Sequence, residues 1–71
     1  MSTEETARPD YRGMTVNERL FTAGLLEEYD VAARRRDRAT MILILLRVDL
    51  PEKDATPSVD TVLANPSSYG F

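Results

Sequence analysis

The chain of 71 residues contains neither histidine nor cysteine. The usual ligands of zinc, copper, haem and iron–sulfur sites are therefore missing. So are the hydroxyl and thiol catalytic pairs that depend on an imidazole. Acid–base work would fall to Asp, Glu, Tyr and the single lysine, Lys53. Glu27 and Glu28 are adjacent and point about 100° apart on a helix, so they cannot converge on one substrate. Glu27 and Asp30 share a face, but such pairs read as solvated surface. Asp49, Glu52 and Asp54 lack the glycine and the ligand spacing of a calcium loop. The three glycines are scattered, so no phosphate-cradling loop exists. No catalytic activity, cofactor or metal is expected.

Three other features could act on a partner. The first is Arg34-Arg35-Arg36-Asp37-Arg38, where Arg34, Arg35, Arg36 and Arg38 could grip an anion or an acidic protein surface. Its structural reading is a helix C-terminus offsetting the helix dipole and pairing with Glu28, Asp30 and the acidic third segment. Nucleic-acid readers spread basic charge over a face and add stacking aromatics; this cluster does neither. The second feature is Met41–Leu46, six consecutive apolar positions that wrap the full circumference of a helix. Such a helix lies at an interface or forms the centre of a small bundle. The interface reading takes Met41, Ile42, Ile44, Leu45 and Val48, matched by Phe21 and Leu25 from the preceding helix, most simply in a symmetric homodimer. The third is Tyr69-Gly70-Phe71, a recognition tail or, as we expect, a segment folded back over a small core.

Composition sets the frame for these features. Apolar residues make up 42% and charged residues 30%, an ordinary globular mixture in a chain of 8.0 kDa, so one small domain at most is expected. The formal charge of −3 gives no global pull toward nucleic acid. Its distribution is uneven: an arginine-rich centre sits between two acidic flanks, which suits intramolecular or head-to-tail pairing. Met1–Asp10 has no apolar stretch of the kind a secretory signal needs. Met41–Leu46 falls far short of the roughly twenty residues that span a membrane. A cytoplasmic protein is expected, with no membrane partner.

The elements follow from capping grammar and periodicity. Residues 1–14 read as a disordered polar leader. Thr15-Val16-Asn17-Glu18 matches a capping box, and Leu20, Phe21, Leu25, Tyr29 and Ala32 then follow at helical spacing. The first helix is expected over 16–35, with Gly24 inside it at a cost of about 1 kcal/mol against alanine. Asp37 is the expected N-cap of a second helix over 38–48. Residues 49–56 read as a polar connector. Thr56 and Pro57 suit the N-cap and first position of a third helix over 57–64, which Asn65-Pro66 ends. Residues 15–66 thus form an all-α domain, a helical hairpin with a short third helix, and 67–71 an aromatic tail.

The segments TVNERLF (15–21), RDRATMI (36–42) and ANPSSYG (64–70) resemble those of short bacterial helical proteins of uncharacterised role. Those proteins carry an Ala-Asn-Pro-x-x-Tyr-Gly tail. The likeness extends over about residues 13–71. It implies a helical body with an uninterrupted third helix, from which this chain departs at Pro57, and it implies no activity. The residues themselves point to a small interaction or accessory protein that uses an apolar helix face rimmed by arginines and associates with itself or another protein. A small nucleic-acid-binding regulator and a small inhibitor of a larger enzyme are the alternatives.

Overall fold

A computed structural model describes residues 10–71. The described residues are all-α: α1 (Val16–Ala23), α2 (Leu26–Arg34), α3 (Arg38–Arg47) and α4 (Glu52–Ala64), followed by a 3₁₀ turn over Pro66–Tyr69. No helix among them is long and apolar enough to cross a membrane.

The capping box forms as its residues dictate. The Glu18 N–H donates to Thr15 Oγ1 and the Thr15 N–H donates to the Glu18 carboxylate. The single first helix expected over 16–35 is instead two. Gly24 adopts a left-handed conformation with φ 73°. The Leu25 N–H then donates to the Leu20 carbonyl at 2.8 Å and the Gly24 N–H to the Phe21 carbonyl at 3.1 Å. This is a Schellman closure, which favours glycine because it has no Cβ to strain. The same device ends α2 and α3 without glycine, at Arg36 (φ 56°) and Asp49 (φ 65°).

Asp37 caps α3, accepting from the Thr40 N–H, and the helix ends at Arg47. The largest departure is in the last helix. It starts at Glu52, after Pro51, rather than at Pro57, so most of the connector expected over 49–56 is helical. Pro57 sits inside the helix, and its missing N–H and ring disturb one turn. In the turn after it, the Thr61 hydroxyl donates to the Pro57 carbonyl.

The core brings together all four helices, with Leu20, Met41, Leu45, Val48 and Val59 fully enclosed. Buried alanines on α2 (Ala32, Ala33) and α4 (Ala55) keep the helices close. The leader expected over 1–14 is described only from residue 10; residues 1–9 lie outside the described residues. Within 10–14 the chain is tied down rather than loose. Tyr11 is 5% exposed in the core, and its carbonyl accepts from the Met14 N–H. Apart from Tyr11 and Tyr29, no residue with a polar or charged side chain is buried among the described residues.

Candidate functional site

The arginine cluster acts first on its own chain. Arg34 reaches in three directions: to the Asp30 carboxylate at 2.9 Å, to the Gly70 carbonyl at 3.0 Å, and over the Phe71 ring at 5.5 Å. Arg36 donates to the Leu63 carbonyl at 3.0 Å, at the end of α4. Arg38 grips Asp60 with two hydrogen bonds, at 2.7 and 3.3 Å, and so links α3 to α4. That guanidinium holds the Asp60 carboxyl below the ordinary carboxylate range. Asp37 is held low chiefly by the Thr40 hydroxyl, then by the Thr40 N–H, with the Arg35 charge contributing less. Arg35 itself is exposed at the end of α2.

Arg19 belongs with these residues, although it carries no signal in the sequence beyond its charge. From α1 it donates to the Met14 carbonyl at 3.1 Å and to the Val48 carbonyl at the end of α3 at 3.0 Å. A helix C-terminus leaves its last carbonyls without intrahelical donors. Arg19 and Arg36 supply donors there from distant parts of the chain, and Arg34 does the same for the C-terminal turn.

The residues expected to form an interface between chains divide differently. Leu25, Met41, Ile44, Leu45 and Val48 are buried in the chain's own core, and Ile42 is half-buried against it. The five buried ones are corrected from interface to core. The last helix covers the inner face of α3 with Val59 and Val62, and its early start adds Ala55 to the shared core. Of that expected set, Phe21 is the one well exposed, at 74%.

What remains outside on α3 is a narrower ridge. Leu43 is 59% exposed and Leu46 37%, with exposed Ala39 one turn before Leu43. Spacings of four and three residues place these on one face. Beside the ridge lies a hollow of about 510 Å³ lined by Thr40, Leu43, Ile44, Leu46 and Arg47, in which Arg47 is the only charged residue.

A second surface lies on α1 and α2. A groove of about 620 Å³ has walls that include Leu20, Leu26, Tyr29, Val62, Tyr69 and Phe71, with Asp30 as its one charged residue. Burial, with Tyr69 nearby, pushes the Tyr29 hydroxyl above its ordinary pKa, so it stays protonated at neutral pH. A shallower hollow of about 510 Å³ adjoins the groove, sharing Asn17 and Leu26 with it. It also holds Phe21, and its one charged residue is Glu18. The C-terminal segment thus folds back, as expected: Phe71 is packed against the core, while Tyr69 stays half exposed on the groove wall. Among the described residues no three acidic side chains converge as a metal-holding group.

Comparison with protein-family models, with curated proteins and with solved structures finds no match to this chain.

Proposed function

We propose that the protein is a small interaction or accessory protein of the cytoplasm that associates with itself or another protein through the outer face of α3. One observation carries this reading. Leu43 and Leu46 stand exposed side by side on a helix whose opposite face is wholly enclosed. Single exposed apolar residues are common on any surface. A contiguous apolar ridge beside a hollow is the form that a helix-packing contact takes. Arginines near the ridge, Arg47 above all, orient the approach and raise its rate more than they add to affinity.

Photo-crosslinking tests this reading. A benzophenone amino acid replaces Leu43 in one preparation and the exposed Ala64 in another. Position 43 is expected to give a discrete covalent product in cells, and position 64 none. Equal or absent products at both positions would contradict the assignment.

A further inference from the structure

The segment after α4 is held differently from the helices. The turn over Pro66–Tyr69 has no buried residue. Its backbone bonds are local: Ser68 donates to the Asn65 carbonyl, Gly70 to that of Ser67 and Phe71 to that of Pro66. Among the described residues, a single hydrogen bond reaches this segment from anywhere before Asn65. It runs from Arg34 Nη2 to the Gly70 carbonyl. The same guanidinium stands over the Phe71 ring, which is half-buried against the core. Arg36 and Arg38 grip α4 itself, so the polar hold on 66–71 comes from one half-exposed side chain.

Arg34 also has a second partner. Its Nε donates to the Asp30 carboxylate one turn back on α2. When Gly70 leaves, that pair persists and the Gly70 carbonyl passes to water, so neither end is stranded. Segments with few buried contacts and exposed hydrogen bonds are the first to open locally. What this one flanks is the groove of α1, α2 and α4. Ser68, Tyr69 and Phe71 line it together with the buried Leu20, Tyr29 and Val62.

We infer that residues 66–71 form a strap that swings open at Asn65 while the four helices stay folded, with Arg34 as its latch. Closed, the strap walls the groove and shields Tyr29. Open, it bares the apolar strip of Leu20, Tyr29 and Val62. Access to the groove is thus gated by the chain's own last turn. The α3 ridge plays no part, since its hollow shares no residue with the groove.

Amide hydrogen exchange by NMR on the full chain tests the strap, beside tyrosine nitration by tetranitromethane mapped by mass spectrometry. A turn this short does not keep its own hydrogen bonds once lifted, so the Gly70 and Phe71 amides report opening. In wild type they are expected to be protected, yet to exchange at least about tenfold faster than those of Met41 and Leu45 in α3. Arg34→Met is expected to speed them a further tenfold or about that, the worth of one charge-assisted hydrogen bond. Met41 and Leu45 are expected to change by no more than about twofold, the worth of the lost Asp30 pair. Arg35→Met removes an equal charge next to the latch and is expected to leave Gly70 and Phe71 as in wild type. Nitration of Tyr29 is expected to rise in Arg34→Met, while that of Tyr11, which does not line the groove, stays constant.

Gly70 and Phe71 exchanging together with Met41 and Leu45, or showing no protection, would overturn the strap on wild type alone. Equal effects of the two variants would overturn Arg34 as the latch. Faster exchange without greater nitration of Tyr29 would overturn the shielding of the groove.

Discussion

At the residue scale, Gly24 shows how one position reverses a prediction. If Gly24 were interior to a helix, alanine there would stabilise the protein by about 1 kcal/mol. In the structure its φ is +73° and a Cβ would meet nothing within 4 Å. The cost of alanine is then backbone strain alone. Gly24→Ala is expected to destabilise by about 1 kcal/mol, read as a lower midpoint in urea. A rise in the midpoint would restore the continuous helix. Arg19 is a second case. Its part-buried guanidinium ties the loop before α1 to the end of α3, where Val48 lies 29 residues beyond Arg19. Arg19→Met keeps the stem and removes both donors, with an expected loss of about 2 kcal/mol. An unchanged melting curve would show that water replaces those bonds at no cost.

At the element scale, local grammar was legible where its signal was local. The Thr15 box and the Asp37 cap form as their spacing dictates, because side chain and amide lie within three residues of each other. The break at Gly24 was hidden because the apolar period runs on through it, from Leu20 to Leu25 and Tyr29. Pro57 misled for the opposite reason. A proline after a threonine is a strong helix-start signal, and it drew the start to Pro57, although Glu52 and Asp54 in the first turn mark the true beginning after Pro51. Pro57 inside α4 therefore stands as a local cost. Pro57→Ala is expected to raise stability by about 1–2 kcal/mol, the recovered hydrogen bond less the entropy returned to the unfolded chain. A fall in stability would mean that the proline ring makes a packing contact worth more than the lost bond.

At the scale of the whole molecule, what escaped the sequence is mostly long range. Tyr11 is one aromatic in a polar stretch with no periodic partner, yet it enters the core. The arginine run read either as a binding patch or as internal pairing with Glu28, Asp30 and the acidic third segment. Arg34 pairs with Asp30 and Arg38 with Asp60, while the carbonyl acceptors of Gly70 and Leu63, 36 and 27 residues away, left no signal. The apolar run Met41–Leu46 was legible as special, but which side faced out depended on α4. The Arg38–Asp60 pair and the Asp37 cap also set an acid limit. Asp60 and Asp37 both have folded-state pKa values lowered below the unfolded one. Their stabilisation is therefore complete above the ordinary carboxylate range and is lost as pH falls through the lowered values. Unfolding midpoints are expected to hold from neutrality down to about pH 4 and then decline, with Asp60→Asn showing a shallower decline. A parallel acid limb in that variant would remove Asp60 from the account.

The central claim is that the chain associates with itself through the outer ridge of α3 while the rest of the apolar run is core. Sedimentation equilibrium of the wild type beside Leu43→Glu/Leu46→Glu, over a hundredfold range of concentration, tests it most directly. The wild-type mass is expected to climb from the 8.0 kDa monomer, and the variant to remain at it with the same helical content. Identical masses for the two proteins across the range would contradict the claim and leave Leu43 and Leu46 as ordinary exposed residues.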